Sequence, residues 1–332
     1  MQALRAMLNG ENRKIDVKKF YNKYGIITVL VVILLVSSVI SPTFLTEMNI
    51  INVLTQISVV TIIACGMTML IISGMTDLSA GSVVALAGCL CVGIYKMLLA
   101  GGLPEIVCGI LAVLSAMLIG VLLNVIDGII ITYYNAPPFI VTLAMMTAAR
   151  GMVYIYTNGQ PIYDIGNIVK IGQGKIGFLP YSVLIMILVL IVTWVLLNET
   201  RSGRYLYAIG GNQEAAIASG IKIDKVIIKA FMIHGAFVGL AGVLFMTRLN
   251  SGQPAEGVGL EFDAITAAII GGTSMIGGLG TVTGTLCGAI IIGVINNVLN
   301  LMFVQSYYQQ IIKGIIIVLA VILDIKTKGS KK

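Results

Sequence analysis

Charge is what this chain has least of. Only 11% of its 332 residues are Asp, Glu, Lys or Arg, while 58% are hydrophobic; a soluble domain carries about 25% charged residues. With a mean hydropathy of +1.01, the chain has too little polar surface to cover a core in water. That excludes a soluble fold and points to a protein whose mass lies mostly in a bilayer. Histidine is nearly absent, His234 being the only one. A His-rich metal centre is therefore excluded. With no HExxH and no carboxylate pair deep in an apolar run, so is an intramembrane hydrolase. The five cysteines, Cys65, Cys89, Cys91, Cys108 and Cys287, all fall inside apolar runs and read as small packed hydrophobes rather than as disulfides or metal ligands. No Gly-x4-Gly-Lys-Ser/Thr phosphate loop is present, so any ATP that drives this protein is held by another chain. No soluble output domain of the kind a membrane sensor needs is visible either.

What charge there is sits outside the apolar runs. Arg5, Arg13, Lys14, Lys18, Lys19 and Lys23 open the chain; Arg201, Arg204, Lys222, Lys225 and Lys229 lie mid-chain; Lys326, Lys328, Lys331 and Lys332 close it. These three groups hold 15 of the 21 basic residues. Short Lys/Arg-rich segments stay cytoplasmic, so both termini and the central loop are expected on the cytoplasmic side. The net charge of +7 then needs no acidic partner beyond the anionic inner leaflet, and no nucleic acid.

A helix needs about 20 residues to cross the bilayer. Ten spans are expected, at about 24–40, 50–73, 79–100, 104–132, 138–156, 180–197, 226–247, 262–276, 279–301 and 307–324. The first reads as an uncleaved span, because no convincing small-x-small cleavage site follows it. Six spans precede the central loop and four follow it, which satisfies the charge rule. The expected fold is an all-α integral membrane protein of about 10 transmembrane helices with broken or re-entrant segments. Residues 1–23 form a basic cytoplasmic segment, 24–325 one transmembrane domain, and 326–332 a basic cytoplasmic tail. The loop at about 157–179 is then extracytoplasmic, and that at about 198–225 cytoplasmic.

Two stretches interrupt the apolar pattern with glycines and hydroxyls: Ser73-Gly74-Met75-Thr76-Asp77-Leu78-Ser79-Ala80-Gly81-Ser82, and Gly271-Gly272-Thr273-Ser274 through Gly277-Gly278-Leu279-Gly280. Their flanks are alike, Ile71-Ile72-Ser73-Gly74 against Ile269-Ile270-Gly271-Gly272, which suggests an internal repeat. Paired interruptions in two halves point to a substrate path; two short turns between neighbouring spans is the other reading. Gly280, Gly284 and Gly288 recur at helical spacing, as do Gly235 and Gly239. Such small faces allow close helix packing, within the chain or between subunits.

The central loop contains Gly210-Gly211-Asn212-Gln213-Glu214-Ala215-Ala216-Ile217-Ala218-Ser219-Gly220. Asn212 is a good N-cap, Glu214 suits the first turn, and Gly220 can end the helix. A helix this short does not stand alone in water, so it is expected to dock onto a partner. Glu-Ala-Ala-x3-Gly in a cytoplasmic loop resembles the coupling motif of ABC importer permeases, and the wider chain resembles those for ribose and related monosaccharides (ribose, xylose, galactose). The resemblance is carried by the first glycine-rich stretch, Ala149-Arg150-Gly151 with Tyr156-Thr157-Asn158-Gly159, and Gly203-Arg204-Tyr205. Further on it is carried by Leu260-Glu261-Phe262-Asp263-Ala264-Ile265, Gly271-Gly272-Thr273-Ser274 and Ser306-Tyr307-Tyr308-Gln309. Phe262, where the ribose-type pattern has Leu, departs from it.

The resemblance implies a transport subunit, not an enzyme, in the bacterial cytoplasmic (inner) membrane. It binds no cofactor itself; ATP and magnesium sit on a cytoplasmic ABC ATPase. Its other partners are an extracytoplasmic sugar-binding protein, a second copy of the permease as a homodimer, and the lipid bilayer. ATPase coupling falls to Asn212, Glu214, Ala215, Ala216, Ser219 and Gly220. Candidates for the pathway are Thr76, Asp77, Ser79, Gly271, Gly272, Thr273, Asn296 and Asn297; candidates for binding-protein docking are Arg150, Glu256, Glu261 and Asp263. Asp77 suits either a helix cap or a sugar contact, and Asn296 and Asn297 either interhelical bonds or pathway lining. Arg150 suits either an internal pairing or docking. Asp127 is expected near a helix end, Lys96, Arg248 and Lys313 snorkel, and His234 is a packed or capping residue near the start of its span. The rival reading is an ion-coupled secondary transporter, for which Asp77 is the strongest ion-coupling residue.

Overall fold

The computed structural model describes residues 17–328; Arg5, Arg13, Lys14, Lys331 and Lys332 lie outside them. The chain is helical almost throughout: α1 Val17–Ile40, α2 Glu47–Ile72, α3 Ala80–Ala100, α4 Glu105–Tyr133, α5 Pro138–Thr157, the short α6 Val169–Gln173, α7 Tyr181–Asn198, α8 Arg201–Gly211, α9 Gln213–Ala218, α10 Ile223–Arg248, α11 Leu260–Ile270, α12 Val282–Leu301 and α13 Ser306–Lys328. Two two-residue strands, β1 Lys175–Ile176 and β2 Leu179–Pro180, pair in the loop before α7.

Among the described residues, seven helices are long and apolar enough to cross a membrane: α2, α3, α4, α5, α7, α10 and α12. The expected spans at 24–40 and 307–324 correspond to α1 and α13, whose apolar parts, Gly25–Ile40 and Ser306–Ile322, are shorter. The span expected at 262–276 is not one. Its helix, α11, has 11 residues, about 16 Å at 1.5 Å per residue, half of a hydrocarbon core about 30 Å thick. Hydropathy does not register the stop, because Gly271-Gly272 is neutral in polarity while being a strong helix terminator.

At the centre stand α2 and α10. From Ile57 to Ile72 every residue of α2 is buried, as expected of a helix that is apolar on all sides. α10 packs on α2, α3 and α4. The outer helices turn their large aliphatic side chains outward: α4 exposes Ile106, Ile110, Leu114, Leu118, Leu122, Ile126 and Ile129 in one continuous row. In a bilayer this row meets lipid. Helix association without a hydrophobic drive relies on close van der Waals fit, for which small residues are needed. The glycine faces supply it within the chain. A Cβ on Gly235 or Gly239 would run into the backbone of Gly120 or Ala116 on α4, and one on Gly284 or Gly288 into that of Gly271 or Ala267.

The bundle is closed at one end by residues 157–179 and 249–259. An isolated bridge joins Ile162 to Gly252, and Gln173 donates to the Arg248 carbonyl at 3.0 Å. Gly235→Leu is expected to separate α4 from α10 and destabilise the protein by about 1–3 kcal/mol, the usual range for overpacking. A thermal-unfolding midpoint in detergent that matches the parent would contradict this packing.

Candidate functional site

Both interruptions end a helix in the same way. At the end of α2, the Gly74 N–H donates to the Ile71 carbonyl and the Met75 N–H to that of Leu70, both at 2.9 Å. At the end of α11, the Gly272 N–H donates to Ile269 at 2.8 Å and the Thr273 N–H to Ala268 at 2.9 Å. Each is a Schellman stop, with glycine at φ +81° and +91°, a conformation that costs other residues energy. The repeat visible in the flanks is thus a repeated helix stop. The two breaks also touch: the Gly278 N–H donates to the Ile72 carbonyl at 2.8 Å. Residues 73–79 then lead to α3, with Ser73, Asp77, Leu78 and Ser79 buried and Thr76 half-buried. Irregular backbone survives at membrane depth only when surrounded in this way.

Asp77 is the hub of the first break. Its Oδ1 accepts the Ser79 N–H at 2.6 Å, which turns the chain into α3. Its Oδ2 lies 3.0 Å from Nε2 of His234, and both side chains are 0% exposed. His234 is near the middle of α10, not at its start, and its 157-residue separation from Asp77 hid the pairing from the sequence. Asp127 and Asn124 on α4 are also fully buried, and Asp127 lies within Coulombic reach of Asp77. Asp127 thus lies toward the end of α4, as expected, but is buried in the bundle.

The remaining pathway candidates are bonded within the protein. Asn297 and Asn49 exchange amide hydrogen bonds at 2.8 and 3.0 Å, and Asn296 donates to Asp263 at 3.4 Å. In the second break Gly271 and Thr273 are buried and Gly272 half-buried. The docking candidates divide. Glu256 is exposed, but Arg150 donates to the carbonyls of Pro254 and Glu256 at 2.6 and 2.8 Å, holding the loop before α11. Glu261 and Asp263 are 4% and 7% exposed. Glu261 accepts the Gly259 N–H at 3.2 Å, and Asp263 pairs with Lys313 at 2.8 Å. Neither carboxylate is presented to a partner: an acidic residue in the first turn of a buried half-helix satisfies N–H groups and cations inside the protein. Lys313 likewise pairs instead of snorkelling.

In the central loop, α9 forms as its sequence predicts. Asn212 Oδ1 caps it through the Ala215 N–H at 2.9 Å. At its other end the Gly220 N–H donates to Ile217 at 2.8 Å, and the Ile221 N–H to Ala216 at 3.1 Å, with Gly220 at φ +79°. Glu214, Ala215, Ala218, Ser219 and Gly220 are exposed. Ala216 is not; it is tucked into a cluster with Leu206 and Ile209 of α8, so it joins the two helices and offers nothing outward. The outward apolar group is Ile217, 58% exposed, which the motif reading passed over. α8, too, carries more than expected. A Cβ on Gly210 would strike the Ile72 carbonyl and the Gly278 nitrogen. The Tyr207 hydroxyl donates to the Gly280 carbonyl at 2.8 Å. Burial pushes the Tyr207 phenol up. The tandem Gly210-Gly211 was the only sequence signal of this contact.

Among the described residues no group of three or more His, Cys, Asp or Glu side chains is placed to hold a metal ion, and the five cysteines are free. Removing one member of a buried pair costs about 3–5 kcal/mol. Asp77→Ala and His234→Ala are each expected to be strongly destabilising, and their double variant less so than the sum, by about 1 kcal/mol or more. Additive losses in thermal or denaturant unfolding would show the pair to be uncoupled.

Residues 49–321 match a family profile described as the branched-chain amino acid transport system / permease component. The chain is 40% identical to the ribose import permease protein of Bacillus subtilis over 322 residues, 96% of this chain and 98% of that protein. It is 41% identical to the ribose import permease protein of Escherichia coli K12 over 309 residues, 91% and 93% of the two. With the galactose/methyl galactoside import permease protein of Escherichia coli K12 it shares 37% over 323 residues, 93% and 95%. No solved structure matches the chain. The seven apolar helices, the matching family profile and these near full-length likenesses lead to one conclusion: the chain belongs to this family of permease components, as a multi-pass membrane transport subunit and not an enzyme.

Proposed function

We propose that this chain is the membrane-spanning subunit of an ATP-driven, binding-protein-dependent importer of a monosaccharide, ribose or a related sugar, in the bacterial cytoplasmic membrane. The observation that carries the reading is the α8–α9 unit. It is a short, doubly capped helix with Glu214, Ala215, Ile217 and Ala218 facing out, mounted on a helix that touches both breaks. The sugar class is supported by relatives named for ribose and galactose import that match nearly end to end.

On this reading the basic termini and residues 198–225 face the cytoplasm, residues 157–179 face outward, and 24–325 form one transmembrane domain. α9 seats in a cytoplasmic ATPase, which holds ATP and magnesium. A sugar-binding protein docks at the opposite end, where Glu256 is exposed and Arg150 holds the loop. Two copies of the chain pair to enclose the pathway, whose gate is formed by the breaks around Thr76, Asp77, Ser79 and Gly271–Thr273. Coupling residues on α9 are Glu214, Ala215, Ile217, Ser219 and Gly220, with Asn212 and Ala216 holding the helix in place.

Reconstitution with the ATPase and binding protein in proteoliposomes tests this. Labelled ribose should enter only with ATP on the ATPase side and the binding protein on the other, and dissipating ion gradients should not change the rate. Uptake that needs an ion gradient and no ATP would establish the ion-coupled reading instead. Within the same system, Ile217→Asp should weaken ATPase binding about tenfold or more, as loss of an apolar interface anchor does, without lowering the amount of permease in the membrane. Parental affinity in that variant would remove α9 as the docking helix.

A further inference from the structure

The loop between α7 and α10 contains two helices: α9, exposed at every residue but Ala216, and α8, capped by Thr200 and Asn212 and lying against both breaks. We propose that α8 is the transmitting element, which passes ATPase motion to both breaks at once, and that Tyr207 is the positioning residue that fastens it to the second. This rests on the importer reading above and assigns it a route through the molecule.

Three observations place α8 in that role. First, α8 meets the breaks backbone to backbone. Gly210 lies against the Ile72 carbonyl of the first break and against Gly277 and Gly278 of the second, and Gly211 lies against Gly278. No side chain intervenes that could change rotamer and absorb a displacement. Second, the two breaks are joined at this point by the Gly278 N–H to Ile72 carbonyl bond, so a push on one is carried to the other. The Tyr207 hydroxyl bond to the Gly280 carbonyl adds a directional tie just before α12, which starts at Val282. Third, α9 is rigidly attached to α8. Asn212 is at once the C-cap of α8 and the N-cap of α9, and Ala216 packs into the cluster of Leu206 and Ile209. Close-packed contacts of this kind transmit strain.

The other route from α9 leads along α10 through His234 to Asp77. It reaches only the first break, and α10 is itself locked by its glycine face against α4. Motion entering α10 has to move the α4–α10 pair as a body, whereas α8 is 11 residues long and bears directly on both helix stops.

The test uses the assembled complex of permease, ATPase and binding protein in proteoliposomes, with sugar uptake and ATP hydrolysis measured on the same preparation. Tyr207→Phe removes one oxygen and keeps the ring. We expect sugar transported per ATP hydrolysed to fall about fivefold, the equivalent of one hydrogen bond, while hydrolysis and complex yield stay at the parental level. Tyr205→Phe, on the exposed side of the same helix, should leave the ratio unchanged. A parental ratio in Tyr207→Phe overturns the proposal. So does an equal loss in Tyr205→Phe, or a loss accounted for by lower complex yield, which would make Tyr207 a folding residue. Failure of the importer reading is distinct: the parental complex would then show no ATP-dependent uptake at all.

Discussion

A backbone N–H or C=O left unpaired in hydrocarbon costs several kilocalories per mole, and this requirement governs where the chain is allowed to stop being helical. Two helices end inside the bundle here, α2 and α11. Both use the same glycine-dependent cap, which returns two N–H groups to the final turn. What the caps leave over is met by neighbours: Ser79 by Asp77, Ile72 by Gly278, and the Met275 N–H by Asp324 of α13 at 3.0 Å. The breaks can therefore exist only where α3, α8, α10, α12 and α13 converge.

The same requirement accounts for two ion pairs. Asp77 with His234, and Asp263 with Lys313, are pairs joining elements far apart in sequence. α13, which turns Ile311, Ile315, Val318, Ile322 and Ile325 outward, is held by polar contacts at two heights, to the first turn of α11 through Lys313 and Asp263 and to the second break through Asp324 and the Met275 N–H. Polar bonds between helices in lipid are worth about 0.6–2 kcal/mol each. They hold geometry without a large packed surface, which suits helices that shift against one another.

Much of this was legible in the sequence because it is local. Apolar runs gave seven crossing helices close to their expected limits. Asn212 and Gly220 marked the ends of α9, and the twin Ile-Ile-x-Gly stretches marked the two stops. The rest depended on contacts between distant segments. Nothing near His234 indicates that Asp77 faces it, and nothing near Glu261 or Asp263 indicates that they turn inward rather than toward a partner. Ala216 and Ile217 are adjacent, and only the packing of α9 on α8 decides which of them is buried. The half-length of α11 was missed because two glycines end a helix without lowering hydropathy.

α8 stands between the exposed α9 and the breaks, and its stiffness decides how force travels. The most direct measurement is a pair of spin-label distances in the full complex in lipid nanodiscs, with Cys287, the one cysteine that is not fully buried, replaced by Ser. Labels at Tyr205 on α8 and at Ile276 in the second break, both exposed, should keep one separation with and without bound ATP, while both move relative to a label at Ile106 at the start of α4. A separation between positions 205 and 276 that changes on ATP binding, with 276 fixed relative to 106, would contradict transmission through α8.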